Sequence, residues 1–162
     1  MAKVKLVVIG PTGSGKTEVG KTLADKLGIP FVEGDDLHTA SNIEKMSRGV
    51  PLSDDDREPW IANIIEALEQ PNLVLGAALL KRNMRKRVAA AHPDVKFVQL
   101  QAPMNVLARR IQDREKFFRQ DLLNSQMVIM DPLRRDEPGD VYDATKTVEE
   151  LVREIAFDWL RE

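Results

Sequence analysis

The chain has 162 residues, 43% of them hydrophobic, which is enough to fill the core of one domain. Lys and Arg number 24 against 26 Asp and Glu, so the net charge is -2 and no overall positive field attracts nucleic acid or an anionic membrane. The absence of cysteine excludes disulfides and thiolate metal sites and suits a reducing cytoplasm. We therefore expect one cytoplasmic domain over residues 1–162, with no nucleic-acid or membrane partner.

The predicted elements alternate between strands and helices. The β-branched run at 3–9 is far shorter than the roughly 20 residues of a membrane span and predicts a buried strand. After a glycine-rich turn, Val19, Leu23 and Leu27 share one helical face that ends at Gly28. Further strands are predicted at 30–32, 72–78, 95–100 and 141–144. Further helices are predicted around 43–46, 60–68, 79–91, 106–111, 122–130 and 148–159, the last opened by a capping box of Thr147 and Glu150.

This alternation predicts an α/β three-layer sandwich with a mainly parallel sheet, because parallel neighbours need crossover connections. In such sheets, ligands bind beyond the carboxyl ends of the strands. The polar motifs of this chain follow the predicted strands, so we expect them to lie at one edge of the sheet.

The stretch GPTGSGKT at 10–17 matches the phosphate-loop pattern G-x-x-x-x-G-K-[ST] and lies between a predicted strand and a predicted helix. Its backbone N–H groups would surround the phosphates of ATP or GTP, Lys16 would contact the β- and γ-phosphates, and Thr17 would bind Mg²⁺. The predicted nucleotide contacts are Gly10, Thr12, Gly13, Ser14, Gly15, Lys16 and Thr17. The alternative is a glycine turn with a surface lysine, but the complete motif in its expected context favours the nucleotide site.

The stretch VEGDDLH at 32–38 places carboxylates just after the second predicted strand. A carboxylate here could accept a proton from an acceptor hydroxyl or hold a magnesium-bound water. Glu33 and Asp35 share a side if the strand continues, with Asp36 turned away, and this favours Asp35 as the base. The alternative is a solvated acidic turn.

The stretch SDDDREPW at 53–60 has a structural explanation: Ser53 or an aspartate caps a helix, and Pro59 fits an early helical position. That explanation leaves Arg57 unaccounted for. An arginine at this edge could clamp a carboxylate or phosphate through two parallel hydrogen bonds.

Together the phosphate loop, GDDLH, NIEKMSRGVPLSDDDREPW and the later LLNSQ resemble the gluconate kinase (gluconokinase) family across essentially the whole chain. That family is related to shikimate kinase and has the nucleoside-monophosphate-kinase-like P-loop fold with a small helical lid. The resemblance implies Mg²⁺-dependent transfer of the ATP γ-phosphoryl group to the 6-hydroxyl of D-gluconate, and it also implies a homodimer.

The resemblance also implies residue roles. Lys16, Asp35 and Arg114 would be catalytic, Arg110 would contact ATP, and the lid would span about 110–125. The implied acceptor-binding residues are Asp35, His38, Arg57, Lys81, Arg85 and Gln126.

The segment GAALLKRNMRKR at 76–87 departs from the family, which usually has cysteine-serine-alanine-leucine-lysine after the third strand. Alanine replaces the serine, and Lys81 and Arg85 match the family's lysine and arginine only with one residue inserted. Two alternatives therefore remain: a kinase for another small hydroxy acid such as shikimate, and a non-catalytic nucleotide-binding protein.

Overall fold

Five strands form one parallel sheet in the computed structural model, which describes residues 4–114 and 120–159, with the backbone alone at 113, 114 and 120–122. The strands are β1 (Lys5–Ile9), β2 (Phe31–Glu33), β3 (Leu73–Ala77), β4 (Lys96–Gln101) and β5 (Gly139–Asp143). Their order across the sheet is β2-β3-β1-β4-β5. The central strand β1 pairs with β3, where Lys5 lies opposite Leu73, and with β4, where Leu6 lies opposite Lys96.

Helices cover both faces of the sheet. They are α1 (Lys16–Leu27), α2 (Ala40–Ser47), α3 (Asp54–Ala67), α4 (Arg82–Ala91), α5 (Met104–Arg114), α6 (Gln120–Ile129) and α7 (Val148–Trp159), and a 3₁₀ turn (Gly34–Leu37) follows β2. This confirms the predicted α/β sandwich with a parallel sheet. Among the described residues, no helix combines the length and apolar character that crossing a membrane requires.

The two core layers follow from alternation along the buried strands. Leu6 and Val8 of β1 face one layer, and Val7 and Ile9 face the other, since successive side chains of a strand point to opposite faces. The first layer includes Val19, Leu23, Leu107, Ile111, Leu123, Leu151, Val152 and Ile155. The second includes Trp60, Ile61, Ile64, Met84, Val88 and Phe97. The strand ends that carry the polar motifs are therefore held between two packed helical layers.

The helix ends agree with the sequence signals in most places. Gly28 ends α1 with φ 67°, a conformation that favours glycine, and Thr147 and Glu150 form the predicted capping box. Helix α3 begins at Asp54, directly after its predicted cap Ser53, so Pro59 lies in its second turn. One predicted start was wrong: α4 begins at Arg82 rather than 79, because Lys81 has an extended backbone.

Candidate active site

Three chain segments meet at the carboxyl edge of the sheet. The phosphate loop follows β1, the 3₁₀ turn follows β2, and the stretch 78–81 follows β3. Because these three strands are neighbours in the sheet, their ends bring the motifs into one region.

The phosphate loop has the geometry of an anion-binding loop at the start of α1. Gly13 and Gly15 have φ values of 84° and 94°, and a Cβ at Gly13 would lie 2.8 Å from the Leu107 carbonyl oxygen. The hydroxyl of Ser14 is buried, and among the described side chains it alone has a buried polar atom without a hydrogen-bond partner. An unpartnered, buried hydroxyl in a glycine-rich loop at a helix N-terminus fits a phosphate ligand.

Lys16 and Thr17 open α1 at the loop. The Lys16 ammonium group donates to the Pro11 carbonyl oxygen at 3.1 Å, and burial lowers its pKa against the opposing effect of nearby Asp35 and Glu33. The Thr17 hydroxyl donates to the Glu33 carboxylate.

A hydroxyl oxygen beside a carboxylate suits Mg²⁺, which prefers oxygen ligands. In the described ranges no cluster of three or more His, Asp or Glu could hold a metal, so a Mg²⁺ ion at Thr17 would take its other ligands from nucleotide phosphates and water. The residues at this position fit a nucleotide-bound Mg²⁺ better than a protein-enclosed one.

A cavity lies beside the phosphate loop, between the 3₁₀ turn, α3 and α6. Its polar lining is formed by Asp35, His38, Arg57, Ser125 and Gln126. Trp60, Leu80 and several smaller apolar residues form the remaining wall. The cavity combines one cation, one carboxylate and several hydrogen-bonding groups, as a hydroxylated anion requires.

His38 is held firmly in this cavity. Its ring stacks on Trp60 with centroids 4.3 Å apart and 10° between the planes, and the Trp60 indole N–H donates to the Gly34 carbonyl oxygen at 2.9 Å. Burial lowers the pKa of His38 to about 4, Asp35 acts in the opposite direction, and Arg57 lowers the pKa further. His38 is therefore neutral at pH 7.

We expect the free energy of unfolding to fall as the pH drops from about 6.5 towards 4, because in this window the unfolded chain binds a proton at His38 that the folded chain does not. Above pH 6.5 this contribution is constant. Urea unfolding at pH 7 and pH 5 should show a smaller loss of stability in His38→Gln than in the wild type. Equal losses in the two proteins would contradict the neutral state of His38.

Two of the three consecutive aspartates have separate contacts. Asp54 accepts from the Lys81 ammonium group at 2.6 Å and lies 3.6 Å from the Arg57 guanidinium group. Asp56 completes a capping box with Ser53 and pairs with Lys45 of α2 at 2.9 Å. The predicted capping by Ser53 is confirmed. Asp54 therefore lies beside Arg57, and Asp56 joins α2 to α3.

The structure corrects the role predicted for Arg85. Its side chain is 0% exposed and does not line the cavity. The guanidinium group donates to both oxygens of Glu137, at 2.7 and 3.0 Å, and to the backbone carbonyls of Leu79 and Leu80. With its donors committed inside the protein, Arg85 supports the segment 79–80, and its predicted contact with the acceptor has no support from this arrangement.

Lys81 also points away from the cavity lining, towards Asp54, while its neighbour Leu80 lines the cavity. Lys81 pairs with Asp54, and Asp54 in turn lies beside Arg57 of the cavity lining. The direct contact of Lys81 with the acceptor stays a prediction.

Two other predicted residues lie against the phosphate loop. Gln126 lines the cavity and accepts a hydrogen bond from the Thr12 N–H at 2.7 Å. Arg110 donates to the carbonyl oxygens of Gly13, at 3.5 Å, and Ala144, at 2.5 Å. The side chain of Arg114 and residues 115–119 at the centre of the expected lid lie outside the described residues.

Sequence reasoning missed Asn42. The residue is 2% exposed, and its side chain contacts both His38 and the Asp56 carbonyl oxygen. No spacing signal marked it, because His38 has an extended backbone and lies before α2, which begins at Ala40.

Comparisons with known proteins agree with this arrangement. A family model described as an AAA domain matches residues 6–138. A gluconokinase of Gluconobacter oxydans is 39% identical, with 91% of this chain and 89% of that protein covered. The crystal structure of a gluconokinase from Sinorhizobium meliloti 1021 matches with a TM-score of 0.88 and 39% identity over 94% of this chain and 89% of that one. A shikimate kinase from Bacteroides thetaiotaomicron, 19% identical over 96% of this chain and 98% of that one, has a TM-score of 0.69, which bears on the fold alone.

Proposed function

Since this chain belongs to the gluconokinase family, we propose that it transfers the γ-phosphoryl group of ATP to the 6-hydroxyl of D-gluconate, giving 6-phospho-D-gluconate and ADP. One observation supports this most directly. Gln126 lines the acceptor cavity and bonds to Thr12 of the phosphate loop, so the two sites are contiguous. Contiguous donor and acceptor sites are what direct phosphoryl transfer requires, because the reacting oxygens must be in line.

Asp35 is the proposed base. It lines the cavity and lies close enough to Lys16 of the phosphate loop to affect its pKa. In the proposed step Asp35 accepts the proton of the attacking 6-hydroxyl, whose oxygen forms a bond to the γ-phosphorus while the bond to the β–γ bridging oxygen breaks. The electron pair of the broken bond stays on ADP.

Lys16 offsets charge on the phosphates during transfer, and the backbone N–H groups of the loop orient them. Thr17 would hold Mg²⁺ on the nucleotide, beside the Glu33 carboxylate that accepts from the Thr17 hydroxyl. Bound Mg²⁺ would neutralise part of the charge on the β- and γ-phosphates. Arg110 and Arg114, both in α5, are proposed to contact ATP, and Arg114 is proposed to act on the transferred phosphoryl group.

Arg57 is the proposed partner of the gluconate carboxylate. It is the cation of the cavity lining, its side chain is 12% exposed, and its guanidinium group lies 3.6 Å from the Asp54 carboxylate. A planar guanidinium group can bind a carboxylate through two parallel hydrogen bonds. His38 and Gln126 are proposed to bind hydroxyl groups along the sugar-acid chain.

The proposal predicts gluconate-dependent ADP release by the purified protein with Mg²⁺-ATP. The comparison set contains shikimate, other sugar acids and no acceptor, and Lys16→Ala serves as the blank. Turnover with shikimate or another acid alone would point to a different small-acid kinase. A nucleotide-dependent thermal shift without turnover on any acceptor would point to a non-catalytic nucleotide-binding protein.

The homodimer and the cytoplasmic location stay predictions. They rest on the family resemblance and on the cysteine-free composition.

A further inference from the structure

The Asn42 side chain connects the acceptor cavity to the helix that carries Arg57. It lies in α2, is almost fully buried, and its amide nitrogen is 2.7 Å from the Asp56 carbonyl oxygen and 3.2 Å from Nδ1 of His38. A buried amide that contacts a cavity residue and a helix backbone at once has little freedom to rotate.

The contact with Asp56 fixes which way the carboxamide points. A backbone carbonyl oxygen can only accept a hydrogen bond, so the atom facing it must be the NH₂ group of Asn42. That NH₂ group has a second hydrogen, and Nδ1 of His38 lies within reach of it. Nδ1 must then be the acceptor, because two donors cannot share one bond.

This assignment determines the proton position on the neutral His38 ring. With Nδ1 accepting, the single ring proton is on Nε2, which is the polar ring atom left for a ligand. The charged groups that act on the ring are Asp35 of the 3₁₀ turn and Arg57 of α3. Stacking on Trp60 holds the ring plane, so the Nε2–H group has a fixed direction.

We propose that Asn42 is a positioning residue. It holds the His38 ring neutral with its proton on Nε2, so that Nε2–H donates a hydrogen bond to an oxygen of the substrate that accepts the phosphoryl group. The part played by the acceptor rests on the function proposed above, whereas the tautomer of His38 does not. A ring presented in this way favours an acceptor oxygen that carries a lone pair or negative charge, and it disfavours an ammonium or amide N–H at the same point.

The tautomer can be measured by ¹⁵N NMR of the histidine rings in the intact protein. The chain has two histidines, so His38→Ala assigns both signals at once. We expect the Nε2–H pattern for His38 at pH 7. A dominant Nδ1–H form, or averaged signals from a freely exchanging ring, would overturn the proposal without any variant of Asn42 being needed.

The variant Asn42→Asp keeps the size of the side chain and replaces the donor by an acceptor. We expect His38 to change to Nδ1–H, its pKa to rise above about 4, and the KM for gluconate to rise about tenfold, with the KM for ATP changed less than about twofold. Asn63→Asp is the matched control, because Asn63 donates to the Leu37 carbonyl oxygen near the same turn but does not contact His38. The control should keep the wild-type His38 signals and the wild-type KM.

The two readouts separate the possible failures. If the wild type does not phosphorylate gluconate, the kinetic comparison fails but the NMR assignment still tests the tautomer. If Asn42→Asp retains the Nε2–H pattern in a folded protein, Asn42 does not position His38 and the proposal is wrong.

Discussion

Replacing Lys16 by alanine is expected to lower kcat at least about 10³-fold, because the variant loses the side-chain charge that offsets the phosphates during transfer. The fold should persist. Burial lowers the pKa of Lys16, which means that keeping this charge in the folded chain costs stability, so the variant should be at least as stable as the wild type. ADP release measures the first effect and thermal unfolding the second.

The control for Lys16→Ala is Lys21→Ala. Lys21 lies on the same helix, α1, but is exposed to solvent, so this variant removes one positive charge without touching the loop. It should retain wild-type turnover. Near-normal ADP production by a folded Lys16→Ala protein would show that the phosphate loop does not serve catalysis.

The Asp35→Asn variant should lower kcat by about 10²–10⁴-fold, the usual contribution of a general base. The amide is nearly isosteric with the carboxylate but cannot accept the proton of the acceptor hydroxyl at neutral pH. Affinity for ATP should change less than about twofold, since Asp35 lines the acceptor cavity. Steady-state kinetics and a nucleotide titration measure the two quantities separately.

Asp36→Asn is the matched control for Asp35→Asn. Asp36 follows directly in the same 3₁₀ turn and is also exposed, but it does not line the cavity. It should therefore keep wild-type kcat. A tenfold loss of ATP affinity with unchanged turnover in Asp35→Asn would place Asp35 in nucleotide binding instead of proton transfer.

The order of elements could be predicted from the sequence because its signals are local. The phosphate loop needs eight adjacent residues in a strand–helix context, and the capping boxes need residues three apart. The start of α4 was predicted wrongly. The helix begins at Arg82 and not at 79, because Lys81 has an extended backbone, and apolar residues just before a helix can continue its pattern past the helix end.

Contacts between distant segments could not be predicted in the same way. The partner of Arg85 is Glu137, 52 residues later. Nothing in the sequence near either residue indicates that the two side chains are buried together as a pair. The partner of Lys81 is Asp54, 27 residues earlier. Arg57, Lys81 and Arg85 were all candidates to bind the acceptor, the last two only with one residue inserted in the family pattern. Their tertiary positions distinguish Arg57, which lines the cavity, from the other two.

The order β2-β3-β1-β4-β5 has a consequence for how the chain can fold as it is synthesised. The first two strands, β1 and β2, are not neighbours, and each pairs with β3. A nascent chain that ends before Leu73 therefore contains the segments of two strands that cannot pair with each other. The phosphate loop then follows a strand that is not yet part of a sheet. When β3 emerges from the ribosome it completes two pairings together, so the nucleotide site should appear abruptly, and only after β3 has been synthesised.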